Sequence, residues 1–179
     1  MTSDLSEEFK KIETFIFDVD GVMTDGTIIL TSAGDALRKM NIKDGYALQL
    51  AKKRGYNIAI ISGGSSETVR KRFHGLGIYD VYLKAENKVE VYKEFKLTYD
   101  ISDETTLYMG DDIPDYQVMN LMGLPCAPNN AAVEIKSIAK YISEFNGGEG
   151  CVRDVIEKVM RAQNKWFSTQ LSQEENFNW

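Results

Sequence analysis

The feature that most constrains the fold of this chain is the stretch of residues 15–25, where an apolar run gives way to an acidic, glycine-containing loop. The first three residues are all apolar, as in a buried strand, and Asp18, Asp20 and Asp25 follow where that strand ends. Ligands of open α/β folds bind at the carboxyl ends of the strands. Carboxylates clustered at such an edge repel one another and resist the loss of water. The pattern therefore predicts a hard cation such as Mg²⁺ among them.

The composition limits the classes of protein to consider. A chain of 179 residues fits one domain, spanning residues 1–179. The net charge of −6 and the lack of a basic run argue against nucleic acid or an anionic membrane as a partner. No apolar run reaches membrane-spanning length, and the first eleven residues lack the apolar core of a signal peptide. Cys126 and Cys151 stand far apart without metal-type spacing, which predicts reduced thiols and a cytoplasmic location.

Strand-like and helix-like segments alternate along the chain. This alternation predicts an α/β protein with a Rossmann-like, three-layer parallel sheet. The predicted strands cover residues 15–17, 57–61, 79–83, 105–109, 124–127 and 141–142, and the predicted helices cover 46–54, about 66–73, 86–97, 114–122, 131–137 and 151–163. A β-hairpin is expected at about residues 27–41, too small to be a domain. A polar tail with scattered aromatic residues occupies about residues 164–179.

Chemically competent side chains follow four of the predicted strands. Besides the aspartates of the first strand, Ser62 ends the second and Lys88 opens the helix after the third. Asp111, Asp112 and Asp115 follow the fourth. Taken singly, these are an ordinary turn serine, a solvated lysine and helix-capping aspartates. Together at one edge of a parallel sheet, they predict a shared site.

This set of side chains suits phosphoryl transfer. One carboxylate can attack phosphorus and form an aspartyl-phosphate. A second carboxylate, two residues on, can protonate the leaving group and then deprotonate water. A cation offsets the charge that builds up, while lysine, serine and backbone N–H groups hold the remaining phosphoryl oxygens. The single histidine, His74, lies on a predicted helix face and is not expected to take part.

The order of these motifs resembles the haloacid dehalogenase superfamily of phosphatases. The motifs are Asp-x-Asp-Gly-x-x-Thr-Asp from residue 18, Ser-Gly from residue 62, Lys88, and Gly-Asp-Asp-x-x-Asp from residue 110. The resemblance implies that Asp18 is the nucleophile and Asp20 the general acid and base. It implies that the phosphoryl group is bound by Ser62 and Lys88, with Gly63 in support. It also implies that Mg²⁺ is held by Asp18, the backbone carbonyl of Asp20 and Asp111, with Asp112 and Asp115 in support.

A closer resemblance covers about residues 11–166. Residues 41–46, 69–73, 76–78 and 147–153 are similar to segments of the 3-deoxy-D-manno-octulosonate 8-phosphate (Kdo 8-phosphate) phosphatase family. This resemblance implies a capless tetrameric enzyme that supplies Kdo for lipopolysaccharide. It implies that the substrate, a phosphorylated 2-keto-3-deoxy sugar acid, is bound by Asn41, Ile42, Lys43, Asp44, Gly45 and Arg72, together with Asp20 and Lys88.

Two positions depart from that family pattern and leave alternatives open. Gln49 and Gly64 stand where many members carry arginine, so that two expected anchors for the substrate carboxylate are missing. A phosphatase for a nine-carbon 2-keto-3-deoxy acid 9-phosphate, or a less selective sugar phosphatase, is the alternative. A phosphoacceptor receiver domain is the non-enzymatic alternative. It is disfavoured because a receiver has its lysine last, whereas here Lys88 precedes Asp111.

The spacing of the motifs also predicts an oligomer. The intervals between Asp25 and Ser62 and between Ser62 and Lys88 are too short to hold a cap domain. No segment of the chain is then available to close over the substrate and exclude water. The apolar run of residues 27–30 lies on the predicted hairpin, where a monomer would expose it. We therefore expect hairpins to pack in a homotetramer and each to complete a neighbouring site.

Overall fold

The computed structural model describes residues 3–34 and 36–167. Seven α-helices and eight β-strands are described. The helices are α1 Ser3–Lys11, α2 Ile42–Lys53, α3 Glu67–His74, α4 Lys88–Tyr99, α5 Tyr116–Met119, α6 Val133–Ile138 and α7 Cys151–Ala162. The strands are β1 Thr14–Phe17, β2 Ile29–Leu30, β3 Ala36–Leu37, β4 Asn57–Ile61, β5 Val81–Tyr82, β6 Thr106–Met109, β7 Leu124–Ala127 and β8 Tyr141–Ile142.

Six of the strands form one parallel sheet in the order β5-β4-β1-β6-β7-β8. The central strand is β1, whose last residue, Phe17, pairs with Ile60 of β4 and Met109 of β6. Because the strands are parallel and in this register, β1, β4 and β6 end at the same edge of the sheet. The predicted α/β class with its parallel sheet is confirmed.

The core lies on both faces of this sheet. Phe15 and Phe17 of β1 pack into a cluster on one face, which α1, α2 and α7 cover. Ile16 points to the opposite face, where α4 and α5 supply Phe95 and Met119. Every residue of β1 is buried, as expected for a strand covered on both sides. Burial of each large apolar side chain contributes about 1.5–3 kcal/mol to folding, and this holds the strand ends at fixed positions.

Several element boundaries differ from the prediction. Helix α2 begins at Ile42 rather than residue 46, because the side chain of Asn41 accepts a hydrogen bond from the N–H of Lys43 and caps the helix earlier. The helix predicted over 114–122 is a short 3₁₀ turn, Ile113–Asp115, followed by α5. Pro114 fits the first turn but cannot donate to a helical ladder. Helix α1 was not predicted, since its polar sequence masks the buried Phe9.

The hairpin forms as an antiparallel pair in which Ile29 faces Leu37, but its strands are only two residues long. Its apolar side chains lie in the open: Ile29 is 59% exposed and Leu30 80% exposed. At the other end of the described chain, Trp166 is buried, and the Arg153 guanidinium lies 5.2 Å from its ring centroid. The rest of the predicted tail, residues 168–179, lies outside the described residues. Within the described ranges, no helix has the length and apolarity needed to cross a membrane.

Candidate active site

The carboxyl edge of the sheet gathers the predicted catalytic side chains into one open cleft. Asp18 follows β1, Ser62 follows β4, Asp111 follows β6, and Lys88 is the first residue of α4. Helix α4 begins there because the side chain of Asn87 accepts hydrogen bonds from the N–H groups of residues 89 and 90. The residues that line the cleft are Asp18, Asp20, Gly26, Ser62, Gly63, Gly64, Ala85, Glu86, Lys88, Asp111, Asp112, Pro114 and Asp115.

Lys88 is the centre of a buried polar network. Its Nζ lies 2.9 Å from Oδ1 of Asp18 and 2.7 Å from Oδ1 of Asp115. The hydroxyl of Tyr108, on β6, donates a further hydrogen bond of 2.7 Å to Asp115. All four side chains are buried. Because buried charges are tolerated only when they are paired, Lys88 fixes the orientation of both carboxylates.

Two acidic groups of the cleft, Asp18 and Asp111, have raised pKa values because their surroundings destabilise the charged carboxylate. Burial, together with the charge of Asp115, raises the pKa of Asp18 to about 7. Burial, together with the charges of Asp18 and Asp115, raises the pKa of Asp111 to about 7. For Lys88, burial lowers the pKa, but the two neighbouring carboxylates more than offset it, and the net shift is upward. The cleft therefore carries more negative charge than its own lysine neutralises.

A divalent cation fits this arrangement. One oxygen from each of Asp18, Asp111 and Asp115 lies within 4.8 Å of the others, and carboxylate oxygens are the ligands that Mg²⁺ prefers. Asp115 is already engaged, since its Oδ2 accepts from the N–H of Asp111 while its Oδ1 is held by Lys88. Asp112 directs its carboxylate to the N–H of Ile113 and caps the following turn. The geometry favours Asp18 and Asp111 as ligands and Asp115 as their support.

Ser62 lies in a tight turn at the end of β4. Its side chain is buried, and its Oγ accepts a hydrogen bond of 3.1 Å from the N–H of Gly64. Its carbonyl accepts from the N–H of Ala85 at 3.0 Å, which ties the turn to the segment that leads to Lys88. Gly63, at the tip, is exposed. The turn therefore presents a hydroxyl and backbone N–H groups at the mouth of the cleft.

Asp20 has a partner that the sequence analysis missed. Arg38, just after β3, donates from Nε to Oδ1 of Asp20 at 2.5 Å and from Nη2 to Oδ2 at 3.1 Å. Asp25, which the sequence grouped with Asp18 and Asp20, lies outside the carboxylate cluster. It is paired with Lys39 at 2.9 Å and accepts from the N–H of Thr27. Nothing in the spacing indicates the Arg38 pair, because only the folding back of the hairpin brings that arginine to the cleft.

The predicted substrate-binding segment lies apart from this cleft. Asn41, Asp44, Gly45 and Arg72 line a second recess, where a Cβ added to Gly45 would meet Nη2 of Arg72 at 2.3 Å. The exposed side chains of Ile42 and Lys43 belong to the first turn of α2 beside it.

Asp44 is directed into the fold. Its carboxylate is buried, and its Oδ1 accepts from the N–H of Arg153 in the first turn of α7. Among the residues that the structure describes, its Oδ2 has no hydrogen-bond partner. Asp44 thus joins α2 to α7, a role the sequence analysis did not foresee.

The glycine-rich segment at residues 147–150 packs against the catalytic loop, which is the loop that follows β1. The N–H of Gly148 donates to the carbonyl of Val22 at 2.9 Å. A Cβ on Gly147 would lie 1.8 Å from the carbonyl oxygen of Gly21, so only glycine fits there. Thr24, fully buried, accepts from the N–H of Gly21 at 3.2 Å. These contacts give Gly21, Thr24 and Gly147 a structural role beside the catalytic side chains.

Comparison with known proteins identifies a family and relatives of this chain. Residues 74–156 match the haloacid dehalogenase-like hydrolase family. The Kdo 8-phosphate phosphatases KdsC of Yersinia pestis and of Escherichia coli K12 are each 33% identical over 92% of this chain and 88% of their own length. The crystal structure of the Moraxella catarrhalis Kdo 8-phosphate phosphatase, in complex with magnesium, phosphate and Kdo, is 30% identical. It covers 98% of this chain and 100% of that one, with a TM-score of 0.91.

The fold and the carboxylate cleft define a hydrolase of the haloacid dehalogenase class, as the matched family model also indicates. The identity and the near-complete coverage of both chains narrow the class further. The chain belongs to the 3-deoxy-D-manno-octulosonate 8-phosphate phosphatase family.

Proposed function

We propose that this protein is a Mg²⁺-dependent phosphatase that hydrolyses Kdo 8-phosphate to Kdo and phosphate, in the supply of the lipopolysaccharide sugar acid. The observation that carries the proposal is the Asp18–Lys88–Asp115 network beside Asp20. The curated relatives of this chain are named as Kdo 8-phosphate phosphatases. We also propose that the whole chain is one domain and acts in the cytoplasm. Mg²⁺ held by Asp18, Asp111 and the backbone carbonyl of Asp20 would offset the charge of the phosphoryl oxygens.

Asp18 is the proposed nucleophile. Lys88 holds its Oδ1, which leaves the other oxygen to attack phosphorus. As the new O–P bond forms, the bond from phosphorus to the sugar oxygen breaks, and Asp20 protonates that oxygen. Lys88 and Ser62 would bind the phosphoryl oxygens and stabilise the charge that develops there.

Asp20 then acts in the second half of the reaction. Once it has given up its proton, it accepts one from a water molecule that attacks the aspartyl-phosphate. The bond between phosphorus and Asp18 breaks, and phosphate leaves with the carboxylate restored. Asp20 suits both roles because it is half-exposed at the cleft mouth, where the leaving group and water enter.

The proposed substrate subsite spans two chains. Asn41 and Arg72 lie in the second recess rather than in the cleft of their own chain, while the hairpin exposes its apolar side chains. A homotetramer in which such surfaces meet a neighbouring cleft would account for both observations. In that assembly Asn41, Ile42, Lys43 and Arg72 would contact the sugar acid bound by the adjacent chain, while Asp44 and Gly45, which are buried, would support them.

A substrate screen tests the proposed function. Phosphate release with Mg²⁺ is measured for Kdo 8-phosphate, for a nine-carbon 2-keto-3-deoxy acid 9-phosphate, for simple sugar phosphates and for p-nitrophenyl phosphate. We expect the highest kcat/KM for Kdo 8-phosphate. A higher value for the nine-carbon acid would reassign the substrate, and equal values for all sugar phosphates would identify a less selective phosphatase.

A further inference from the structure

Arg38 is built into the mouth of the cleft although no motif includes it. Both of its contacts with Asp20 run between a guanidinium nitrogen and a separate carboxylate oxygen, the forked geometry that arginine favours. Nη1 also donates to the carbonyl of Ala36 at 3.1 Å. The side chain is only 11% exposed, so the guanidinium is held beside Asp20 rather than in open solvent.

The cleft has few cations with which to receive an anionic substrate. Along its described lining, Lys88 is the one basic residue, and besides its pairs with Asp18 and Asp115 it serves the phosphoryl group in the proposed reaction. A sugar acid phosphate brings a carboxylate in addition to its phosphoryl group, and Mg²⁺ serves the phosphoryl end. The carboxylate therefore needs a further cation on the side of the leaving group.

Gly64 lies beside Arg38. A Cβ added to Gly64 would lie 3.3 Å from Oγ of Ser62, 3.4 Å from Oδ2 of Asp20 and 3.5 Å from Nη2 of Arg38. A side chain at position 64 would therefore start next to the Asp20–Arg38 pair. A cation at this place in the cleft can come from position 64 or from the hairpin, and in this chain it comes from the hairpin.

We propose that Arg38 is a specificity-determining residue that binds the carboxylate of the sugar acid substrate, a role that rests on the proposed function. The guanidinium already engages a carboxylate through two parallel hydrogen bonds, so a substrate carboxylate can take the place of Asp20 without a change in bonding pattern. Asp20 adjoins the sugar oxygen that leaves. Arg38 therefore faces the sugar acid, whereas Lys88, across the cleft, faces the phosphoryl group.

The test compares Kdo 8-phosphate with p-nitrophenyl phosphate, which carries no carboxylate. For Arg38→Ala we expect kcat/KM to fall on the order of 100-fold for Kdo 8-phosphate, mainly through KM, and less than about threefold for p-nitrophenyl phosphate. The matched control is Lys39→Ala, which removes the neighbouring basic residue, 75% exposed and paired with Asp25 outside the lining of the cleft. It should leave both substrates unchanged.

Relocation of the charge gives an independent arm. In the double variant Arg38→Ala/Gly64→Arg, the new guanidinium enters the emptied space, and at least about a tenfold recovery over Arg38→Ala is expected for Kdo 8-phosphate. Equal losses on both substrates for Arg38→Ala, or no recovery in the double variant, would overturn the role of Arg38 alone. Wild-type protein that hydrolyses p-nitrophenyl phosphate but not Kdo 8-phosphate would overturn the proposed function and this role together.

Discussion

At the scale of single residues, two buried aspartates illustrate different uses of the same side chain. Asp18 is paired with Lys88 at the cleft, and its environment suits a cation. Asp44 is equally buried, but within the described part of the chain its carboxylate accepts a hydrogen bond only from the N–H of Arg153. Burial, partly offset by that hydrogen bond, raises the pKa of Asp44 to about 6. Asp44 thus holds two helices together at the expense of a poorly solvated charge.

Asp44 predicts a pH dependence of stability. The pKa of this carboxyl is about 6 in the folded chain and near its ordinary value of 3.8 when unfolded. Between those values the folded chain binds more protons, so its free energy of unfolding falls as the pH rises, by about 3 kcal/mol in total. Asp44→Asn does not titrate and should lack this contribution. Urea unfolding at pH 4.5 and pH 7 covers about 2 kcal/mol of this change, and identical pH dependence in both proteins would contradict the prediction.

At the scale of elements, the loop of residues 147–150 is as important to the site as the strand that carries Asp18. Its backbone packs directly against Gly21 and Val22 and holds the catalytic loop in place. Cys151, the first residue of α7, adds a contact of 3.3 Å from its sulfur to the carbonyl of Val22. A change in this loop should therefore affect the cleft without touching a catalytic side chain.

Substitution of Gly147 tests this support. In Gly147→Ala the added methyl would overlap the backbone of Gly21, and we expect the free energy of unfolding to fall by about 2–3 kcal/mol, with a parallel loss of kcat. Gly63→Ala is the matched control for stability, since an added Cβ there meets no atom of the described residues within 4 Å. Its free energy of unfolding should change by less than about 0.5 kcal/mol. Equal effects of the two substitutions would refute the supporting role.

The sequence predicted those elements whose signal is local. Phe15–Phe17 followed by aspartates marks a buried strand and its loop, and Lys88 opens a helix that Asn87 caps. Contacts made between distant segments left no comparable signal. Arg38 stands 18 residues from Asp20 in the chain.

Two further residues show the same limit. In the sequence, Tyr108 is an ordinary aromatic residue of a strand. The hydrogen bond from its hydroxyl to Asp115 is evident only in the folded structure. Asp44 was predicted to bind the substrate, yet the packing of α2 against α7 buries it beside the N–H of Arg153.

At the scale of the whole molecule, the hairpin combines anchored and exposed side chains. Arg38 pairs with Asp20 in the cleft of its own chain, and Lys39 pairs with Asp25 outside the lining of that cleft. Ile29 and Leu30, on the other strand of the hairpin, leave their apolar side chains exposed. A hairpin packed wholly against its own fold would bury these two side chains. This division is consistent with a hairpin that serves its own site through Arg38 and a neighbouring chain through its exposed apolar side chains.

Charged substitutions at Ile28 and Leu30 of the hairpin test the proposed assembly. We expect Ile28→Glu/Leu30→Glu to dissociate the oligomer, because charge cannot be buried in an apolar interface without a partner. Hydrolysis of p-nitrophenyl phosphate should survive, while kcat/KM for Kdo 8-phosphate falls steeply. Sedimentation and kinetics measure both effects. Leu97→Glu, at an 86% exposed leucine of α4, is the control and should change neither. A dissociated variant with full efficiency on Kdo 8-phosphate would contradict the shared site.

The central claim is that the phosphoryl group passes through Asp18, and trapping it there tests the claim most directly. The protein is mixed with Mg²⁺ and with Kdo 8-phosphate that carries the radiolabel in its phosphoryl group. The reaction is quenched in acid within milliseconds, and the protein is digested. We predict label on the peptide that contains Asp18 and none in Asp18→Asn, whose turnover falls by several orders of magnitude. Asp20→Asn slows both proton transfers and should also turn over far more slowly than the wild-type protein. An Asp18→Asn variant that keeps near-normal turnover, with no label on the wild-type peptide, would contradict the account.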